Sequence, residues 1–126
     1  GIFPLERMQE YTENYIKAGG ERSFSEYYTA MYDGALFSPS LTRNTVFSQH
    51  NLVTDRSFSE FHMVFCRNVL IYFDRTLQDR VHSVFYDSLV MLGILALGSK
   101  ESLRFSQYED CYEMLHVKER IYRKVR

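Results

Sequence analysis

The sequence predicts an α/β protein with a partial doubly wound sheet. Two short segments, residues 63–66 and 94–97, are apolar at almost every position, as expected of strands in a parallel sheet that is covered on both faces. Between them lies a segment whose apolar residues recur every three or four positions, which is typical of an amphipathic helix. The order strand, helix, strand implies a right-handed crossover between two parallel strands.

The first third of the chain predicts a helix followed by a small hairpin. Apolar residues recur at helical spacing within residues 4–17, and Pro4 suits the first turn of a helix. An aromatic run and a shorter apolar run then flank the turn dipeptide Asp33-Gly34. This pattern predicts a tight β-hairpin over residues 27–37.

The middle of the chain predicts two strands and one long helix. β-Branched and aromatic residues within 44–49 indicate one strand, and residues 61–66 indicate a second. Asp74 suits the N-cap of the following helix, and Gly93 suits a left-handed residue at its end. The helix is predicted from apolar residues at helical spacing, namely Leu77, Val81, Val84, Phe85, Leu89 and Leu92.

The end of the chain predicts an antiparallel hairpin. Residues 110–117 and 119–125 mix polar and apolar side chains on either side of a short polar turn. The chain has no internal repeat and no Pro/Gly/Ser-rich linker that would divide it. One compact unit is therefore the expectation for 126 residues.

The composition favours a soluble, cytosolic protein. Lys and Arg total 15 against 16 for Asp and Glu, so no overall positive field exists to attract nucleic acid or an anionic membrane surface. No apolar run approaches the roughly 20 residues of a membrane span. The four histidines lack metal-ligand spacing, so no metal site is expected.

The chain opens at Gly1 without an initiator Met, so we expect the natural N-terminus to lie upstream or to have been trimmed.

Residues 61–73, FHMVFCRNVLIYF, resemble a signature of the CheR family, the S-adenosylmethionine-dependent methyltransferases that act on chemotaxis receptors. The resemblance covers residues 1–126 as the C-terminal portion of that catalytic domain, with residues 24–43 as a small β insert. It implies a Rossmann-like sheet whose N-terminal strands, including the glycine-rich loop, would precede Gly1. The family usually has Pro-Gly-Gly where residues 91–93 read Met-Leu-Gly, so that turn must be made with one glycine.

The resemblance assigns the cofactor site to two loops that follow predicted strands. It implies that Asn51 and Leu52 border the adenine of S-adenosylmethionine, and that Arg67, Asn68 and Val69 line its methionine portion. In an open α/β sheet, ligands bind beyond the carboxyl ends of the strands. The alternative for the first pair is a loop Asn and a core Leu. Without the resemblance, an Arg-Asn pair after a strand is more often a structural loop.

The resemblance assigns the catalytic roles to Arg67 and Tyr72. A guanidinium can hold the carboxylate of the cofactor or of the acceptor through two parallel hydrogen bonds. The ring of Tyr72 can face the cationic sulfur or orient the acceptor, and core packing beside Ile71 and Phe73 is its alternative role. The expected reaction is direct methyl transfer to a glutamate, which titrates near ~4.3 and so needs no general base at neutral pH.

The resemblance also implies partners. A methyl-accepting chemotaxis receptor with helical glutamate sites is the expected substrate, with neither nucleic acid nor membrane insertion. The Asp33-Gly34 hairpin is a candidate for docking a receptor peptide by strand addition, although its tyrosines can equally be scaffold. The missing strands would expose the edge of residues 63–66, so the isolated chain is expected to self-associate through that edge or to rearrange locally. Glu101 is expected in the pocket wall.

The alternative function is a noncatalytic receptor- or peptide-binding module that has lost cofactor binding.

Overall fold

The computed structural model describes residues 1–52, 54, 56 and 60–126. The chain forms two compact units, Gly1–Ser48 and Gln49–Arg126, rather than the one unit expected from its length. Both helices and strands are present, which confirms the α/β class. Among the described residues, no helix combines the length and apolar character that crossing a bilayer requires.

The first unit is a three-stranded antiparallel sheet with one helix. Strands β1 (Ile2–Pro4), β2 (Tyr28–Met31) and β3 (Gly34–Phe37) lie in the order β1-β3-β2. The helix α1 (Met8–Lys17) follows a short 3-10 turn and confirms the predicted first helix, although it begins later than Pro4. Strand β1 was not predicted, because three residues are too few to show an alternating pattern.

The predicted hairpin is confirmed, but its turn lies one residue earlier than expected. The turn residues are Tyr32, whose φ is 49°, and Asp33, while Gly34 already pairs with Met31. A Cβ atom on Gly34 would lie 3.1 Å from Cγ2 of Ile2 in the neighbouring strand. The glycine therefore serves the close approach of β1 rather than the turn itself.

Aromatic rings connect the helix and the strands of the first unit. The ring centroid of Tyr15 on α1 lies 5.3 Å from that of Phe24 and 5.7 Å from that of Tyr27. Phe24 in turn lies 5.8 Å from Phe37 on β3. Such pairs contribute about 0.5–1.5 kcal/mol each beyond their buried area, so these tyrosines have a structural role in this unit.

The second unit is a four-stranded mixed sheet with one helix. Strands β4 (Phe61–Cys66), β5 (Leu89–Leu97), β6 (Tyr112–His116) and β7 (Ile121–Lys124) lie in the order β4-β5-β7-β6. Strands β4 and β5 are parallel and are joined through α2 (Arg75–Ser88), which confirms the predicted strand, helix, strand order. Strands β6 and β7 form the predicted antiparallel hairpin at the end of the chain.

The helix α2 begins as predicted and ends earlier. The side chain of Asp74 accepts a hydrogen bond of 2.9 Å from the amide of Leu77, as an N-cap should. The helix stops at Ser88, so the predicted helical position at Leu92 and the left-handed helix end at Gly93 are wrong. The positive φ, 64°, belongs to Leu92, and the glycine lies inside β5. A short apolar run fits a helix and a buried strand equally well, and here the strand forms.

Strand β5 carries an irregularity opposite the start of β4. Phe61 pairs with Leu89 and Met63 pairs with Ile94, so β5 advances five residues while β4 advances two. The additional residues form a bulge that leaves Leu92 63% exposed. From the pair Met63–Ile94 to the pair Cys66–Leu97, the two strands pair regularly.

The strand predicted at residues 44–49 is wrong. Residues 45–50 have no regular structure, and the side chains of Val46 and Phe47 are 90% and 84% exposed. Strand propensity reflects packing and pairing within a sheet more than an intrinsic preference of the backbone. Within the described part of the chain, neither sheet pairs with these residues.

Among the described strands, β4 lies at the edge of its sheet, as expected for residues 63–66, but it is not covered on both faces as predicted. Its one neighbour among the described strands is β5. Phe61, Met63 and Phe65 are 40%, 48% and 70% exposed, while Cys66 at the carboxyl end is buried. An apolar edge strand of this kind is a ready template for pairing with another strand.

The core of the second unit lies between α2 and the sheet. Side chains from the helix, from β5 and from the C-terminal hairpin meet there and exclude water. Its buried members are Cys66, Leu70, Val81, Phe85, Leu89, Leu95, Leu97, Leu103, Tyr112 and Tyr122. This core fixes the carboxyl ends of β4 and β5, where the predicted site residues lie.

Candidate functional site

The loops that follow β4 and β5 lie side by side. The strands are parallel, and their last residues, Cys66 and Leu97, are paired partners. The loop after β4 starts at Arg67, and the loop after β5 starts at Gly98. Polar groups from both loops therefore meet at the edge of the sheet where α/β proteins bind ligands.

Glu101 joins these two loops. Its Oε1 accepts hydrogen bonds from the amides of Val69 at 2.8 Å and Leu70 at 2.7 Å. Its Oε2 accepts from the amides of Asn68 at 3.1 Å and Gly98 at 2.6 Å. Glu101 is 4% exposed; its bonds to Leu70 and Gly98 are buried, and those to Asn68 and Val69 are partly buried. One carboxylate thus fixes the backbone of three consecutive residues after β4.

The hydrogen bonds keep Glu101 ionised. Burial acts to raise the pKa of its carboxyl group, but the four backbone N–H donors act in the opposite direction and outweigh it. The pKa of Glu101 therefore lies below its ordinary value. The sequence interpretation placed this residue in the pocket wall and missed its role, which depends on the pairing of β4 with β5 and is not visible in any local motif.

Backbone geometry at the junction requires small or special residues. Asn68 has a φ of 60°, in the left-handed region that Asn tolerates better than most residues. A Cβ atom on Gly98 would lie 2.7 Å from Glu101 Oε2 and 2.8 Å from Asn68 Oδ1. The close approach of the two loops therefore excludes larger residues at this glycine.

The side chain of Arg67 is accessible. Its Nη2 atom lies 3.7 Å from Oε2 of Glu119, and the two side chains are 51% and 46% exposed. Exposed ion pairs of this length contribute roughly 0–1 kcal/mol, so the guanidinium can exchange this partner for another anion at little cost. The structure thus leaves Arg67 available to a ligand.

A groove of about 370 Å³ beside β4, called the β4 groove below, contains three of the predicted cofactor residues. Leu52, Arg67 and Val69 all line it. The rest of its lining is mainly apolar: Phe61, Val64, Phe65, Cys66, Phe85 and Ser88. An apolar groove with one cationic group at its rim suits a ligand that has a flat apolar part and an anionic part.

Three other predicted site residues do not line the β4 groove. Asn51 and Asn68 are exposed. Leu52 and Val69, which follow them directly in sequence, line the groove instead. Tyr72 is 80% exposed, so its alternative role in core packing is wrong. Its ring is accessible to a ligand or partner at the surface.

Cys66 is not a nucleophile in this site. Burial, together with the negative charge of Glu101, raises the pKa of its thiol to about 11. The neutral thiol that results at physiological pH is weakly nucleophilic. Among the described residues, no group of His, Cys, Asp and Glu side chains has an arrangement that could hold a metal ion.

Comparison with protein families gives a match to the family described as CheR methyltransferase, SAM binding domain, over residues 3–121. A protein of Pseudomonas putida named as the methyltransferase Cher3 is 52% identical over 124 residues, covering 98% of this chain and 45% of the relative. Chemotaxis protein methyltransferase 2 of Vibrio cholerae is 33% identical over 107 residues, covering 82% of this chain and 37% of the relative. A chemotaxis protein methyltransferase of Listeria innocua is 35% identical over 65 residues, covering 52% and 25% respectively. The chain spans less than half the length of these relatives.

Proposed function

Because the chain belongs to the CheR methyltransferase family, whose cofactor is S-adenosylmethionine, we propose that it is part of an enzyme that methylates glutamate carboxylates of chemotaxis receptors. The observation that carries this proposal is the β4 groove, in which Leu52, Arg67 and Val69 lie together at the carboxyl end of β4. The names of the Vibrio and Listeria relatives support a chemotaxis role.

The residues of the β4 groove fit part of the cofactor. Leu52 and the apolar wall suit the flat face of a purine, and the Arg67 guanidinium suits a carboxylate. Ligand pockets usually have volumes of about 300–1,000 Å³, so a groove of about 370 Å³ is at the small end of that range. This size is consistent with a chain that supplies some of the contacts and leaves others to a different segment.

Each site residue has a defined task in this proposal. The bound cofactor supplies an electrophilic methyl group on a positively charged sulfur. Arg67 pairs with a carboxylate, and the exposed ring of Tyr72 contacts the cation or orients the acceptor. Glu101 keeps the intervening backbone in place. Because the acceptor glutamate is already an anion at neutral pH, these residues act by positioning and by excluding water rather than by removing a proton.

The proposal includes a larger sheet. We propose that residues 1–126 are the C-terminal portion of a Rossmann-like domain, with residues 24–43 as an inserted β element, and that further strands extend the sheet beyond β4. The exposed apolar side chains on β4 and the fraction of each relative that the chain covers support this. In the same proposal Asn51 and Asn68 contact the cofactor from outside the β4 groove.

Calorimetry with S-adenosylhomocysteine tests the proposal. The full gene product should bind this ligand with micromolar affinity, and Arg67→Ala should weaken binding at least about tenfold, or ~1.4 kcal/mol. Arg43→Ala in the first unit serves as the matched control and should bind as the wild type does. Transfer of a labelled methyl group to receptor glutamates, released as methanol in base, measures activity. No binding by the gene product would refute the enzyme and favour the noncatalytic module instead.

A further inference from the structure

A second cleft, of about 330 Å³, shares no lining residue with the β4 groove. We call it the cationic cleft. It is formed by the loop after β5, the turn after β4, Gln78 of α2 and Arg120 just before β7. Its lining combines apolar and cationic side chains, namely Leu70, Ile71, Phe105, Lys100, Arg104 and Arg120.

The cationic cleft has three basic side chains that form no ion pair with the residues that the structure describes. No salt bridge joins Lys100, Arg104 or Arg120 to any of the residues that the structure describes, whereas Arg67 and Arg123 each have a carboxylate at 3.7 Å. Glu101 also lines the cleft and contributes one negative charge, and its two oxygens accept hydrogen bonds from four backbone amides, so positive charge is in excess. The cleft therefore offers three cationic groups to an external anion in a chain whose net charge is −1.

The cationic cleft opens at the same end of the sheet as the predicted catalytic residues. Arg120 lies beside the carboxyl end of β5, since its carbonyl accepts a hydrogen bond of 3.1 Å from the amide of Leu97. Leu70 and Ile71 follow Arg67 by three and four positions in the turn that Glu101 holds. A polypeptide bound in the cleft would therefore extend over the turn that presents Arg67.

Apolar side chains beside the cations indicate a polypeptide ligand. Ile71 and Phe105 line the cleft and are 45% and 76% exposed. A segment with both carboxylates and apolar side chains would satisfy both kinds of contact. Nucleic acid is disfavoured, because its affinity depends on neutralising many phosphates and this chain has more acidic than basic residues.

We infer that the cationic cleft binds an acidic segment of the acceptor protein, near the glutamate that is methylated, through carboxylate contacts to Lys100, Arg104 and Arg120. This inference rests on the proposed function, since it supplies the acceptor side of the same site. It assigns acceptor recognition to the loop after β5 and leaves cofactor binding to the β4 groove.

Peptide binding to the full gene product tests the inference. The probe is a fluorescent helical peptide rich in glutamate, and its control has glutamine at the same positions. We expect binding of the glutamate peptide that falls as NaCl is raised, because exposed charges are screened. The variant Lys100→Glu/Arg104→Glu should weaken binding at least about tenfold. The matched variant Lys118→Glu/Arg126→Glu has the same change of net charge outside the cleft and should change binding less than about twofold.

The outcomes separate this inference from the proposed function. Equal binding of the two peptides, or equal loss in the two variants, would overturn the cleft assignment. The milder variant Lys100→Gln/Arg104→Gln gives the same readout if charge reversal prevents folding. Binding of S-adenosylhomocysteine is measured on every variant and should not change. If the wild type binds the glutamate peptide but not S-adenosylhomocysteine, the proposed enzyme fails and the cleft alone is supported.

Discussion

Replacing Glu101 with glutamine tests how the turn after β4 is held. Glutamine has nearly the shape of glutamate, but one of its two terminal atoms is an NH2 group that accepts no hydrogen bond. Each oxygen of Glu101 accepts from two amides. Whichever way the new amide is turned, two buried backbone N–H groups lose their acceptor and face another donor.

The expected loss of stability follows from these contacts. A hydrogen bond to a charged group contributes roughly 1.5–3 kcal/mol, so the loss of two lowers the free energy of unfolding by about 3–6 kcal/mol. That loss is a large part of the ~5–15 kcal/mol that stabilises a typical domain. The Glu101→Gln protein should therefore be partly unfolded or should unfold at a clearly lower urea concentration.

Urea unfolding at pH 7, followed by circular dichroism, measures this loss. The control is Glu113→Gln, because Glu113 is 57% exposed and its ion pair of 3.7 Å with Arg123 lies at the surface. Its substitution should cost less than about 1 kcal/mol. If Glu101→Gln and Glu113→Gln differ by less than about 1 kcal/mol, the carboxylate does not hold the turn as described.

The same carboxylate gives the stability a predictable pH dependence. Its pKa is lower in the folded chain than in the unfolded one, where it is near ~4.3. Its contribution is therefore fully present above the unfolded pKa and is lost as the pH falls through the folded pKa. The wild type should lose more stability than Glu101→Gln between neutral and acid pH. Parallel stability curves for the two proteins would refute an ionised Glu101.

Three further perturbations test other contacts. Lys124→Met removes the hydrogen bonds from Nζ to the carbonyls of Tyr86 at 2.7 Å and Leu89 at 2.8 Å, and should lower stability by about 3–6 kcal/mol in a urea titration. An unchanged midpoint would show that these bonds contribute nothing. Gly98→Ala places a Cβ 2.7 Å from Glu101 Oε2, and should cost about 1–3 kcal/mol and weaken cofactor binding. Equal melting temperatures would contradict the close approach. Residues 1–126 should self-associate through the edge of β4, and Phe65→Lys should give a monomer in light scattering. A monomeric parent chain would refute that pairing.

The sequence predicted best where a local pattern and a tertiary contact agree. Helix α2 has both a capping residue and a long apolar periodicity, and it begins where Asp74 predicted. Strand β4 was predicted with its limits, because residues 61–66 are apolar except for His62 and are bounded by Glu60 and Arg67. The resemblance assigned Asn51, Leu52, Arg67, Asn68 and Val69 to one cofactor site. Leu52, Arg67 and Val69 line the β4 groove, and binding of the cofactor there stays a prediction.

Prediction failed where the outcome depended on distant parts of the chain. Val46 and Phe47 have strong strand propensity but no strand beside them in the described part of the chain. The end of α2 was misplaced because Leu89 suits a helix and a buried strand equally well. The role of Glu101 required knowing that the loops after β4 and β5 are neighbours, since its four partners lie up to 33 residues away in sequence.

The turn after β4 combines buried anchors with exposed functional groups. Cys66 and Leu70 are the buried anchors, with 6% and 2% exposure. Arg67, which lies between them, and Tyr72, which follows Leu70, are exposed to solvent. The backbone between the anchors is held by Glu101 rather than by a regular element, so the fold does not depend on the exposed side chain of Arg67. Substitution of Arg67 or Tyr72 should therefore affect binding more than stability, and substitution of Leu70 should do the reverse, because a buried Leu to Ala change costs about 2–5 kcal/mol.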